Sequence, residues 1–159
     1  MSTMRPTTPG TTNTASWTVR PGQRVRNLLT GETMTFLRTS AESRGESIEL
    51  ELELRPVGAP GGPPHRHLPA ERFELSSGTV CVWIAGRQPW LARAGDVIEV
   101  PPHRWHFLVA IAPTHAHVFV RPAMRFDELL VAVAALGSGD LRPQTISRVV
   151  PLLREHGCI

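Results

Sequence analysis

The sequence predicts an all-β domain of sandwich or barrel type, followed by two short helices. Three observations lead there. Fifteen prolines and thirteen glycines are spread along the 159 residues, which divides the chain into many short elements and argues against a bundle of long helices. Between Trp17 and Pro122, short apolar runs alternate with turn residues at roughly ten-residue spacing, the rhythm of a strand meander. From Arg125 onward, the apolar residues recur at helical spacing instead.

Taken in order, residues 1–15 are rich in Thr and Pro, bury too little to offset ordering, and read as a flexible tail. Residues 16–124 form the β domain. "VRNLL", "TGE" and "TMTFLRT" read as a hairpin around Gly31. In "SIELELELRP" a period of two places Ile48, Leu50, Leu52 and Leu54 on one face, with Glu49, Glu51 and Glu53 facing solvent on the other. "TVCVWIA", a turn at Gly86-Arg87, "QPWLARAGDVIEVPP", "WHFLVAIAP" and "HAHVFVRP" continue the meander. Residues 125–159 hold the two helices, "RFDELLVAVAALGSGD" and "TISRVVPLLREHG", with Asp127 and Thr145 as candidate N-caps. They are expected to pack on the outside of the β domain. A DNA-reading helix-turn-helix is disfavoured by Pro151 inside the second helix and by the absence of a basic recognition face.

Charge and composition exclude several partners. The formal charge of +3 rests on seventeen scattered arginines and no lysine, which makes a solvated surface rather than a nucleic-acid patch. No run approaches about eighteen apolar residues, and no apolar segment follows a basic start, so neither membrane spanning nor secretion is expected. The two cysteines make no disulfide framework: Cys81 lies in an apolar strand and reads as a buried thiol, Cys158 as a loose thiol of the tail. A cytoplasmic location follows as the expectation.

Chemistry concentrates in "GGPPHRHLPAERFELSSG", residues 61–78. On an extended strand His65 and His67 point to one side while Arg66 points away, so both imidazoles can converge on one ion. Glu71 offers a hard, anionic ligand close by. A hydrogen-bonded or surface pair of histidines gives the same local pattern, so the reading needs a second segment to answer it. That segment is "GDVIEVPPHRWH", residues 95–106.

With both segments in place the chain resembles the cupin superfamily over about residues 45–122. Its first motif, HxH followed by a glutamate and a glycine, is matched by His65, His67, Glu71 and Gly78; its second by Gly95, Pro101 and His106. Ala59, His103 and Ala110 stand where the family usually has glycine, glycine and often asparagine. The resemblance implies a jelly-roll β-barrel with two short C-terminal helices packed outside. It also implies one divalent transition metal (Fe, Mn, Ni, Zn or Cu) held inside by His65, His67, Glu71 and His106, with coordination positions left open.

His115 and His117 repeat the same-face spacing on a later strand. They offer a surface or packed pair, a second metal pair or, through one ring facing the cavity, an acid, base or hydrogen-bond donor to substrate. Phe73, two residues beyond Glu71, is expected to wall an apolar pocket. Such a pocket takes a small, largely apolar organic molecule more readily than a sugar or phosphate. The functional expectation is a metal-dependent enzyme of oxygenase type with Glu71, His115 and His117 as catalytic candidates. The alternatives are a redox-neutral cyclase, isomerase or dehydratase, and a non-catalytic ligand-binding module. An apolar outward set that includes Phe107 and Val109 predicts a homodimer.

Overall fold

A computed structural model describes residues 17–56 and 63–159; the tail read from residues 1–15 and the turn around Ala59 lie outside the described residues. The elements are β1 (Arg24–Asn27), β2 (Glu32–Arg38), α1 (Ser40–Ser43), β3 (Ile48–Leu54), β4 (Ala70–Ile84), β5 (Trp90–Arg93), β6 (Val97–Val100), β7 (His106–Arg121), α2 (Phe126–Gly137) and α3 (Pro143–Glu155). The seven strands form one antiparallel sheet in the order β1-β2-β3-β7-β4-β5, with β6 also on β4. Among the described residues no ladder joins β1 to β5 or β6, so the sheet is open in its hydrogen bonding.

Alternation sets which way the sheet faces. Ile48, Leu50, Leu52 and Leu54 of β3 are all buried, and so are Val118 and Val120 of β7 and Phe73 and Leu75 of β4. Burying each such side chain stabilises by roughly 1.5–3 kcal/mol, whereas an exposed ion pair such as Arg24–Glu53 on the outer face contributes about 1 kcal/mol at most. A one-residue slip of β3 would exchange the two faces, so the apolar set fixes the register.

Two strands run longer than the sequence pattern suggests. "RFEL" and "TVCVWI" join into the 15 residues of β4, and "WHFLVAIAP" and "HAHVFVRP" into the 16 residues of β7. They pair along almost their whole lengths, with register shifts around Ser77, Gly78 and Thr79. Pro113 is tolerated at this irregularity because a bulged position needs no ladder donor. Gly78 makes the crossing possible: its φ is +89°, and an added Cβ would lie 2.5 Å from Thr114 Cα.

At the C-terminal end the helices depart from expectation in three ways. Neither Asp127 nor Thr145 caps a helix: α2 starts at Phe126 after Arg125, and α3 starts with Pro143, whose fixed φ suits the first turn. Asp127 is instead buried inside the first turn of α2, where its carboxylate accepts bonds from the Ser40 N–H (2.8 Å) and hydroxyl (2.6 Å). Ser40 opens α1, a one-turn helix the sequence pattern did not signal, closed by a reciprocal Thr39–Glu42 capping box. Finally, α2 and α3 do not merely cover the outside: Phe126, Leu129, Leu130, Val133 and Leu153 line the same cavity as the inner face of the sheet. Cys158 lines it too, so its thiol is a cavity group rather than a loose tail thiol, while Cys81 is only partly buried.

Two substitutions test this account by chemical denaturation. Gly78→Ala should destabilise by about 2 kcal/mol or more, because both the positive φ and the Thr114 backbone reject a side chain. Asp127→Ala should cost roughly 2 kcal/mol, since it strands the buried Ser40 donors.

Candidate metal centre

Three segments meet at the centre. An isolated bridge ties His65 to the start of β7: the His65 N–H donates to the His106 carbonyl (3.1 Å) and the His106 N–H to the His65 carbonyl (2.9 Å). The His67 carbonyl accepts from the His103 N–H (2.7 Å), and the next amide, Leu68, donates to the His156 carbonyl near the C-terminus (2.6 Å). Glu71 enters from β4, opposite Val100 of β6 and Val120 of β7.

Each imidazole is oriented by a carbonyl two residues away. His65 Nδ1 donates to the Pro63 carbonyl (3.2 Å), His67 Nδ1 to Pro69 (2.8 Å) and His106 Nδ1 to Arg104 (2.8 Å). A carbonyl can only accept, so Nδ1 carries the proton and the neutral ring presents a lone pair at Nε2. The three histidines bring one ligating nitrogen each to within 4.8 Å of one another. Nε2 of His67 and of His106 is buried and makes no hydrogen bond. One Glu71 carboxylate oxygen lies 3.3 Å from the first and 3.4 Å from the second. His67 and His106 are buried, and His65 is exposed.

Charge follows from this packing. Burial alone would raise the Glu71 carboxyl, but His67 and His106 outweigh it and hold the group far below the ordinary carboxylate range. Burial pushes His67 down, yet Glu71 draws it above its usual value. The site is thus an anionic pocket seeking a positive charge, either a proton on His67 or a cation. Two buried nitrogens without partners would each cost about 1–3 kcal/mol, a penalty that a bound divalent ion removes. Three imidazole nitrogens and one carboxylate oxygen suit Fe, Mn, Ni, Cu or Zn, so the residues present fit the group.

A cavity of about 320 Å³ opens on the centre, walled by Leu50, Leu52, Phe73, Val118, Val120 and Phe126. Phe73 lies where its position two beyond Glu71 led one to look. Phe126, the first residue of α2, packs edge-on against His67 at 4.8 Å between ring centroids, and the buried His156 ring lies 5.5 Å from it. His103 takes φ +60° in the turn before His106, the left-handed conformation that suits the glycine usual there, and its backbone N–H supports the centre.

The expectation that His115 or His117 faces the cavity is corrected. Ala116, Val118 and Val120 take the inward positions of β7, so both rings project from the outer face. In the ladder His115 stands opposite Glu53 and His117 opposite Glu51. His115 Nε2 is 3.1 Å from Glu53, and His117 Nδ1 is 3.5 Å from Glu51. The glutamate face of β3 therefore carries partners, but not those of the centre.

The sequence reading also missed Glu32, which lines the cavity. A signal was present: Glu32 is in phase with Met34 and Phe36, the inward residues of β2.

Fold and centre together define an antiparallel β domain with a buried, histidine-rich site at the floor of an apolar cavity. Residues 52–120, which include all four candidate ligands, match the Cupin domain family. No curated protein matches the sequence. Among solved structures, an RmlC-like cupin from Shewanella frigidimarina aligns at 20% identity over 62% of this chain and 83% of its own, with a TM-score of 0.52. KdgF from Halomonas sp. aligns at 19% identity over 70% of this chain and 98% of its own (TM-score 0.54). Ectoine synthase from P. lautus aligns at 12% over 64% and 71% (TM-score 0.51). Identities this low carry the fold alone. The family match spans residues 52–120, less than half of the chain, and the fold is the one these cupin structures share.

Metal titration of chelator-treated protein should give one tightly bound zinc or cobalt ion per chain and raise the thermal midpoint. At a hundredfold excess over Kd the gain is about 2.7 kcal/mol. His106→Ala should abolish this gain, and Glu71→Gln should weaken binding at least tenfold, by a rough measure of losing the one anionic ligand. His115→Ala should leave it unchanged. Retention of full affinity by Glu71→Gln would reduce the ligand set to the three histidines.

Proposed function

We propose that the chain is a metal-dependent enzyme that acts on a small, largely apolar organic metabolite, with oxygenase-type chemistry at a mononuclear centre. The observation that carries this reading is the pair of buried, unpartnered Nε2 atoms beside the Glu71 carboxylate, opening on a cavity whose walls are leucine, valine and phenylalanine. A divalent ion there would supply Lewis acidity and, if redox-active, one-electron chemistry at its open positions. The residues of the chain do the rest. His65, His67, His106 and Glu71 hold the ion, Phe73 and Phe126 exclude water and shape the pocket, and the aliphatic wall selects an apolar body over a sugar or phosphate.

A redox-neutral reading, in which the ion polarises a carbonyl for cyclisation, isomerisation or dehydration, has one observation in its favour: a second carboxyl group, Glu32, in the same cavity. The partner proposed besides substrate is a second copy of the chain. Leu91 and Ile111, 45% and 56% exposed, lie beside Cys81 and Val109 on the sheet face that points away from the core, a face suited to an isologous contact.

Elemental analysis of the purified protein, run with dioxygen-uptake assays on a panel of small aromatic and aliphatic acids, ketones and phenols, tests the reading. Uptake that needs the native metal and disappears in His67→Ala is the result expected. Product formed without uptake would move the assignment to the redox-neutral class, and tight binding without product under any metal would contradict an enzyme. Light scattering at micromolar concentration should give the dimer mass.

A further inference from the structure

We propose that Glu32 is the second acid–base group of the cavity, exchanging a proton with the ligand held at the metal centre. This role rests on the metal-centre reading above and names a residue outside its ligand set.

The placement carries the argument. Glu32 opens β2, while Glu71 lies on β4, with β3 and β7 between them in the sheet, yet both carboxyl groups line one cavity. Among the described residues lining that cavity, the titratable groups are Glu32, His65, His67, Glu71, His106 and Cys158. Four of these are the candidate ligands. Glu32 is therefore the one carboxyl group on the wall left free for a substrate, in surroundings otherwise made largely of aliphatic and aromatic side chains.

The hairpin that carries Glu32 is built to hold it. Asn27 Oδ1 accepts from the Leu29 and Thr30 amides (3.1 and 3.3 Å), which fixes the turn. The Thr30 hydroxyl then donates to one Glu32 oxygen (3.0 Å), leaving the other oxygen available. Asn27 is itself wedged against the end of α2, where a Cβ on Gly137 would lie 2.7 Å from its Cγ. In the ladders Glu32 stands opposite Asn27 on β1 and Leu54 on β3, so no cation from either neighbour faces it in register.

Burial raises the Glu32 carboxyl to about 7; the Thr30 bond opposes that rise and the Glu71 charge adds to it. A cation at the centre compensates Glu71 and draws the value down, so the loaded protein should titrate at or below that point. As an acid, the carboxyl loses its hydrogen to a ligand oxygen or carbon: the Glu32 O–H bond breaks, the new bond to hydrogen forms, and Glu32 keeps the electron pair as a carboxylate. As a base it runs the same exchange in reverse, and solvent restores its starting state between events.

The test uses cobalt-loaded protein, with visible absorption reporting the metal and benzoate as an anionic, apolar probe. Protonated Glu32 donates to the probe and ionised Glu32 repels it. Benzoate affinity should therefore fall roughly tenfold across about two pH units centred at or below about pH 7. Glu32→Gln should bind cobalt as the parent does and lose this pH limb. Thr30→Val, which removes only the opposing hydrogen bond, should move the limb to higher pH. A limb that persists in cobalt-loaded Glu32→Gln belongs to metal-bound water and overturns the assignment, as does a parent protein whose benzoate affinity is flat. Absence of cobalt absorption in the parent would instead overturn the metal-centre reading, and the Glu32 role with it.

Discussion

Three hydrogen bonds, each from a histidine Nδ1 to a carbonyl two residues away along the chain, set the geometry on which the centre depends. They decide the tautomer and ring plane before any ion arrives, so the lone pairs of His65, His67 and His106 are aimed by the backbone and not by the metal. Two of the three accepting carbonyls belong to Pro63 and Pro69, residues whose fixed φ limits how far the loop can drift. The rest of the fold keeps these loops in place: the bridge at the start of β7 pairs His65 with His106, and the chain's end reaches back from His156 to Leu68.

That arrangement is costly on its own. A buried carboxylate and two buried, unpartnered nitrogens form a polar cluster in an apolar interior, which only a firm scaffold can keep from collapsing or flooding. The scaffold consists of the apolar faces of β3, β4 and β7 on one side and the Phe126 face of α2 on the other. The helices are therefore part of the site's wall. Phe126 touches His67, His156 sits behind Phe126, and the His156 Nδ1–H donates to the Leu152 carbonyl (2.7 Å), which ties α3 to the same stack.

Much of this was legible in the sequence where the signal was periodic or fixed by spacing. The alternation of Ile48, Leu50, Leu52 and Leu54 gave the inner face of β3, and the HxH, Glu71 and His106 spacings gave the residues that converge. Signals that depend on partners distant in sequence were not legible. Asp127 looked like a cap because its partner, Ser40, is 87 residues away and in a helix of one turn. His115 and His117 looked like cavity residues because same-face spacing says that two side chains share a side, but not which side. Only the pairing with β3 settles that they meet Glu51 and Glu53. Glu32 went unnoticed because a glutamate beside a turn glycine reads as solvent-facing, although its phase with Met34 and Phe36 placed it inward.

The central claim is that one divalent ion is held by three imidazoles fixed through their Nδ1 atoms and by the Glu71 carboxylate. X-ray absorption at the edge of the metal present in the purified protein tests it most directly. The account predicts a first shell of nitrogen and oxygen at roughly 2.0–2.2 Å, with the outer-shell scattering of three imidazole rings, lost together when His67 and His106 are replaced. A shell of oxygen alone, or imidazole scattering that survives those replacements, would place the metal elsewhere and contradict it.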